Sequence, residues 1–199
     1  NGQRGVSARR GGFFADCVFT GNGRTGLEFL VQGADEVRIE RCSIMENGAL
    51  TLSQPSLSVT GGLFIQGGSA TIADSIISGN NGGGFSSGGV DLARVTALLR
   101  NCRIEKNASQ TGSGGGQFSD AEVIMEQCEV LGNSALQVSF TGSNGIASKG
   151  NTSSELSSTL DLTNSIVAGN TGSGRGGVYV EGGDLSVINC TIQENRIQG

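Results

Sequence analysis

The sequence predicts an all-β, glycine-rich repeat protein: a parallel β-helix of about seven coils, with three short strands in each coil. Three observations indicate this solenoid. A seven-residue motif occurs seven times, apolar residues alternate with polar ones over short segments, and the 199 residues include 35 Gly but only 1 Pro. Alternation with a period of two is typical of strands. Many Gly residues with almost no Pro are typical of short strands joined by tight turns.

The motif places a Cys or Ser, called the anchor from here on, five residues before an Asn. Successive anchors are separated by 25, 33, 27, 26, 37 and 25 residues, which indicates a minimum repeat of 25 residues with variable insertions. The anchors are Cys17, Cys42, Ser75, Cys102, Cys128, Ser165 and Cys190. The motif asparagines are Asn22, Asn47, Asn80, Asn107, Asn133, Asn170 and Asn195.

Three strands in each coil follow from the residues around the anchor. The residues five and three before it are predominantly apolar and predict one strand, and the anchor with the residue two after it predicts the next. The shift from odd to even positions predicts a bend just before the anchor. Gly pairs at 61–62, 88–89, 114–115 and 176–177 introduce a third strand, because Gly tolerates the dihedral angles of tight turns. After the pair at 114–115, Phe118 fills one inward site, and Gly116 is expected to leave the other empty.

Such short strands cannot bury their apolar faces alone, so neighbouring coils are expected to stack about 4.8 Å apart around one shared core. The longer repeats predict two projecting loops, at about 49–57 and 142–157, the second following a strand that contains Val138 and Phe140. We expect residues 1–199 to form a single β-helix domain. We also expect this domain to be a segment of a longer chain, because the sequence has no initiating Met.

The anchor column admits three interpretations: metal ligands, disulfides or a ladder of core side chains. Zinc sites use pairs of Cys roughly two to four residues apart, whereas the closest anchors here are one full coil apart. A disulfide between stacked neighbours such as Cys17 and Cys42 is geometrically conceivable, since their Cα atoms are expected about 4.8 Å apart. The frequent exchange of Cys for Ser and the inward alternation favour a structural ladder of free thiols. We therefore expect no metal and no cofactor.

The column of motif asparagines also favours a structural role. We expect these residues to lie at turns, where Asn tolerates left-handed dihedral angles and where side-chain amides hydrogen-bond along the stack. The N-glycosylation pattern occurs at Asn107, Asn151 and Asn189. Of these three, Asn151 in the predicted loop is the candidate glycosylation site, for a chain made in a secretory eukaryotic cell.

The charge distribution restricts the partners. The net charge of −5 argues against binding to nucleic acid. No apolar run approaches the roughly 18 residues of a membrane span, so we expect no direct membrane insertion. Opposite charges align on neighbouring coils, Arg100 with Glu126 and Arg103 with Glu129, and are expected to help set the register while adding little stability.

The two repeated motifs resemble those of the polymorphic outer membrane proteins, which combine Gly-Gly and an aliphatic residue with Phe-x-x-Asn. The first motif occurs here at residues 61–63, 88–90 and 176–178. The second begins at Phe19 and recurs with Ile or Val in place of Phe at 44–47, 77–80, 104–107, 130–133, 167–170 and 192–195. The resemblance covers nearly the whole chain. It implies a right-handed β-helix of the pectate-lyase-like superfamily and an extracellular or cell-surface location.

The resemblance also implies a non-enzymatic structural or adhesive role, as in the surface-exposed passengers of that family. The partners would be other protein chains, such as a surface receptor, or surface glycans. An alternative is a building block of a surface filament or coat that assembles with copies of itself, since neither terminus shows an amphipathic capping helix.

A second alternative is a polysaccharide lyase or hydrolase on a β-helix scaffold. Such enzymes need clustered carboxylates with basic partners. This chain has no His, its only adjacent acidic pair is Asp35 and Glu36, and no column of Asp lines one face. We therefore expect no catalytic residues.

Overall fold

A computed structural model describes residues 3–48, 59–137, 142–150 and 158–198. These residues form three parallel sheets of seven strands each, with two minor sheets beside them. In each coil the chain passes through the first, second and third sheet, and it follows this path seven times. The prediction of an all-β parallel β-helix with seven coils of three short strands is therefore confirmed.

The strands have similar lengths within each sheet. The first sheet contains Val6–Ala8, Leu27–Leu30, Leu63–Gln66, Val90–Ala93, Gly116–Ser119, Ile146–Lys149 and Val178–Glu181. The second contains Gly12–Ala15, Glu36–Glu40, Ser69–Ala73, Thr96–Arg100, Glu122–Glu126, Ser158–Thr163 and Gly183–Ile188. The third contains Val18–Thr20, Ser43–Met45, Ile76–Ser78, Arg103–Glu105, Glu129–Leu131, Ile166–Ala168 and Thr191–Gln193. The minor sheets contain Asn81–Gly82, Ala108–Ser109 and Ser134–Ala135, and Thr171–Gly172 with Arg196–Ile197.

Equivalent residues of successive coils pair directly across the sheets. In the second sheet Ile39 pairs with Ile72, and Ile72 pairs with Leu99. All three side chains are fully buried. In-register pairing therefore aligns each repeated position in a column along the rod, and the inward columns form one continuous core.

The bend before each anchor is a single residue with left-handed backbone angles. Its φ lies between 48° and 56° in all seven coils. These residues are Asp16, Arg41, Asp74, Asn101, Gln127, Asn164 and Asn189, and all are exposed. One residue of this conformation turns the chain between the second and third sheets. It also shifts the alternation of inward and outward side chains by one residue. As a result, both strands direct their apolar residues into the same interior.

The inward site at Gly116 is not empty, contrary to the expectation. A Cβ atom added to Gly116 would lie 3.1 Å from Cζ of Phe118, so the phenyl ring already occupies that space. Gly12 and Phe14 form the same arrangement in the first coil, where an added Cβ would lie 3.3 Å from Cε2 of the ring. A large ring thus compensates for a missing side chain two residues earlier.

The predicted loop at 142–157 is wrong in its first part. Residues Ile146–Lys149 form the first strand of the sixth coil, and Ile146 pairs with Gly116 on one side and Val178 on the other. The sequence signal is weak here because Asn144 and Gly145 replace the usual Gly pair, and because the second inward residue is the polar Ser148. Val138, Phe140 and residues 151–157 lie outside the described residues. So does the predicted loop at 49–57.

Candidate functional site

The motif asparagines form one internal ladder. Oδ1 of Asn107 accepts hydrogen bonds from the backbone N–H and from Nδ2 of Asn80, both at 2.9 Å. Its own Nδ2 donates to the backbone carbonyl of Ile77 at 2.9 Å and to Oδ1 of Asn133 at 3.0 Å. The same amide-to-amide bond joins every neighbouring pair from Asn22 to Asn195. Hydrogen bonds between coils therefore occupy these amides.

The expected left-handed conformation does not lie at these asparagines, and that part of the prediction is wrong. It lies one residue earlier, where φ is between 53° and 69° in every coil. The residues concerned are Gly21, Glu46, Gly79, Lys106, Gly132, Gly169 and Glu194. Because the preceding residue makes the turn, the Asn side chain is free to point inward and bond the next coil.

The three glycosylation sequons lie in different places. Asn107 is buried within the ladder, where a glycan has no room. Asn189 is the exposed left-handed residue before the last anchor. Asn151, the candidate site, lies outside the described residues, so its modification stays a prediction.

The anchors face the interior, where thiols and hydroxyls make equivalent hydrogen bonds. The Cys102 thiol donates to the carbonyl oxygens of Arg100 and Ile72, each at 3.3 Å. The Ser75 hydroxyl donates to the carbonyl of Ala73 at 2.7 Å and accepts from the N–H of Cys42 at 3.1 Å. Cys42, Ser75, Cys102, Cys128 and Ser165 are buried, and Cys17 and Cys190 are half-buried. This equivalence explains why Cys and Ser exchange in one column.

All five Cys are free thiols, and the surroundings of Cys42 and Cys102 disfavour the reactive thiolate. Burial raises the pKa of Cys42. The neighbouring Cys128 thiol, together with burial, raises the pKa of Cys102. Since the thiolate is the nucleophile in disulfide exchange, we expect a thiol assay on denatured, unreduced protein to find close to five free Cys. A count of one would show that two disulfides join the coils.

The predicted ion pairs on the outer face are confirmed. Nε of Arg100 lies 3.0 Å from Oε2 of Glu126, and Nε of Arg103 lies 3.6 Å from Oε2 of Glu129. Arg103 also contacts Glu105 in its own strand at 2.8 Å. These side chains are substantially exposed, so each pair contributes at most a fraction of a kcal/mol and mainly favours the correct register.

A cleft that the sequence did not indicate lies on the outer face of the first sheet. It encloses about 230 Å³. Among the residues that line it are Arg4, Arg24, Thr25, Glu28, Phe64 and Ser86. These residues come from the first four coils and from the turns that precede the first sheet, so no spacing within a single repeat brings them together.

Asp91 lies beneath one wall of this cleft and is buried. Oδ2 of Asp91 accepts a hydrogen bond from the hydroxyl of Thr60 at 3.1 Å, and the backbone N–H of Ser87 donates to the same carboxyl. Burial outweighs these bonds and raises the pKa of Asp91 from 3.8 to about 6. The folded protein therefore holds a poorly solvated charge at neutral pH.

The Asp91→Asn variant is expected to be more stable than the native protein at pH 7.5, by about 2 kcal/mol. Between pH 4 and 6 the folded state binds more protons than the unfolded state, because the pKa of Asp91 is 3.8 unfolded and about 6 folded. The free energy of unfolding therefore falls as pH rises through this window and is level above it. Asn keeps an acceptor for Thr60 without this dependence, and the loss of the second acceptor oxygen offsets only part of the gain.

Denaturant unfolding from pH 4 to 7.5 measures this effect. The variant Asp184→Asn is the control, since it removes an exposed carboxylate and matches the change in net charge. It should keep the native pH dependence. An unchanged pH dependence in Asp91→Asn would contradict the prediction.

A comparison with known families identifies the fold. A family model described as a right handed beta helix region matches residues 30–199, all but the first 29 residues of the chain. The chain belongs to this family. No curated protein and no solved structure shows a significant match. The right-handed β-helix that the repeat motifs implied is thus shown.

Within this right-handed β-helix, the described residues contain no group of three or more His, Cys, Asp and Glu side chains that could hold a metal ion. Nor do the described ranges include a helix that is long and apolar enough to span a membrane. The described residues form the internal ladders of anchors and of motif asparagines, and they line the mixed-charge cleft.

Proposed function

We propose that this right-handed β-helix is a non-enzymatic extracellular or cell-surface protein with a structural and adhesive role. The observation that carries the proposal is the inward direction of its repeated polar groups. Asn47, Asn80, Asn107, Asn133 and Asn170 are all buried and bonded to the next coil. The most regular chemical groups of the chain are therefore used in stacking, which is what a rigid rod requires.

The outer columns support the same proposal because they vary from coil to coil. Arg38, Thr71, Leu98, Ile124 and Asp161 occupy one outward column of the second sheet. A column that changes from a basic to a hydroxyl, an aliphatic and then an acidic side chain presents a varied surface, suited to contacts with a protein or a glycan. The resemblance of the motifs to polymorphic outer membrane proteins favours a passenger-like adhesin as the specific form of this role.

Two measurements on the purified protein test this proposal. Protein-coated beads should attach to a panel of immobilised extracellular-matrix proteins and surface glycans more than beads coated with serum albumin. The same protein should release no new reducing ends or unsaturated products from pectin, alginate or chitin-like polymers. Attachment no better than albumin would contradict the adhesive role, and reproducible chain cleavage would show that the protein is an enzyme.

A further inference from the structure

We propose that the cleft on the outer face of the first sheet binds an acidic sugar, with Arg24 and Arg4 holding its carboxylate. This inference rests on the proposed adhesive role and names the chemical class of the partner. It depends on three features of the cleft: guanidinium groups with free hydrogen-bond donors, an aromatic side chain and a floor of hydroxyl groups.

The lining of the cleft contains two guanidinium groups and one carboxylate, and the Asp91 carboxylate lies behind Thr60, so what the cleft offers an anion is free hydrogen-bond donors. Glu28 is largely buried, and its two oxygens accept from Nε of Arg4 at 2.6 Å and from the hydroxyl of Ser7 at 2.9 Å. The guanidinium of Arg24 has no ion pair or hydrogen bond with any described residue, and it is only partly exposed. Arg4 bonds Glu28 through Nε, so its terminal nitrogens keep free donors. Two guanidinium groups thus remain available to a carboxylate.

An aromatic side chain supplies the apolar surface. Phe64 lies on the outward face of the first sheet, paired with Glu28 in the coil before and with Asp91 in the coil after. Its ring is partly exposed and lines the cleft. A half-buried ring between two carboxylate side chains of the same column is suited to the C–H face of a sugar, which packs on aromatic rings while its hydroxyls reach polar neighbours.

The floor of the cleft carries hydroxyl groups, and Asp91 beneath it fixes the orientation of one of them. Thr60 is 4% exposed and donates its proton to Asp91 at 3.1 Å, which leaves its oxygen able to accept from a ligand hydroxyl. Thr25 is also buried in the floor, and Ser86 is partly exposed at its edge. Side-chain hydroxyl groups that are already held in place lose little conformational entropy when a ligand binds.

These features together favour a sugar over an acidic peptide. A Glu or Asp side chain would engage the guanidinium groups but would leave the ring and the hydroxyl floor without partners. The volume of about 230 Å³ is below that of a drug-sized pocket, so the cleft accommodates a single ring of a longer glycan.

Titration of the isotopically labelled protein with methyl glucuronoside tests the inference. We expect the backbone amide resonances of Thr25, Phe64 and Ser86 to shift. The methyl ester of the same sugar, which lacks the negative charge, should bind about ten-fold more weakly, as should the Arg24→Gln variant, because each loses a charge-assisted contact. The control Arg103→Gln removes an exposed Arg of the third sheet and should bind like the native protein.

Three outcomes would overturn the inference. Equal binding of the ester and the acid would remove the carboxylate from recognition. Equal binding of N-acetylglutamate amide would show a site for acidic side chains instead of sugars. No binding of methyl glucuronoside by the native protein would show that the cleft is not a site, and it would leave the adhesive role to be judged by the bead assay. Cleavage of polymers together with glucuronoside binding would overturn the proposed function but not this site.

Discussion

The Asn107→Ala variant is expected to unfold with a free energy about 4 kcal/mol below that of the native protein. The side chain lies at the centre of the ladder and makes four hydrogen bonds, two with Asn80, one with Ile77 and one with Asn133. Its removal takes away the acceptor for two donors of Asn80 and the donor to the carbonyl of Ile77, both in the preceding coil, and one of the bonds that Oδ1 of Asn133 accepts in the next coil. Each such group costs about 1–3 kcal/mol, and neighbouring groups do not add fully.

A matched control exists one repeat earlier. Asn81 directly follows a ladder residue, yet it is exposed and only its backbone takes part in hydrogen bonds between coils. The variant Asn81→Ala should change the unfolding free energy by no more than about 0.5 kcal/mol. Equal losses in the two variants, measured by denaturant unfolding, would show that the ladder is not the source of stability.

The near-isosteric variant Asn107→Asp separates hydrogen bonding from packing. An ionised carboxylate can still accept from Asn80, but it cannot donate to Ile77 or Asn133, and it faces the Asn133 oxygen. We expect a loss at least as large as that in Asn107→Ala at pH 7, and a smaller loss at pH 4, where the acid is protonated. The same loss at both pH values would argue against a hydrogen-bond origin.

The second large effect is expected at Gly116 and Phe118, as a coupling between the two positions. The Gly116→Val variant should lose about 3 kcal/mol, because its side chain enters space already held by the phenyl ring. The Phe118→Leu variant should lose about 2 kcal/mol, because the ring no longer fills the interior beside Gly116. The double variant reproduces Val90 and Leu92, which pair with these two positions in the preceding coil. It should lie within about 1 kcal/mol of the native protein.

Thermal or denaturant unfolding of the four proteins measures this coupling. The variant Gln117→Val, on the outward side of the same strand, is the control for β-branching and should have little effect. Additive losses in the double variant would show that Phe118 does not occupy the site of the missing side chain.

The repeated columns could be predicted because they depend on local alternation. Within a strand, successive side chains point to opposite faces, so Ile104 and Cys102 must share the face that Arg103 does not. Stacking of equivalent coils then aligns Ile104 with Ile77 and Val130. No distant information is needed for that step, and the core, the register and the outer ion pairs followed from it.

The bend before each anchor was predicted, but the left-handed residue near each motif Asn was not, because the identity of a residue alone does not determine which residue of a turn adopts left-handed backbone angles. Lys106 adopts the left-handed conformation and Asn107 does not, although Asn tolerates it better. The buried bonds of Asn107 outweigh that preference. The strand Ile146–Lys149 was missed for a related reason, since its place in the first sheet depends on pairing with strands on both sides more than on its own sequence pattern.

For this protein, the sequence by itself determined the repeat, the inward and outward columns and the parallel stacking, because every coil repeats the same alternation of apolar and polar residues. The tertiary structure alone decided which residue near each motif Asn adopts left-handed angles, the filling of the Gly116 site by Phe118, and the cleft with buried Asp91 beneath it. Arg4, Glu28, Thr60 and Asp91 come from four different coils. Their proximity and their charge arise from the stacking of those coils, which no single repeat encodes.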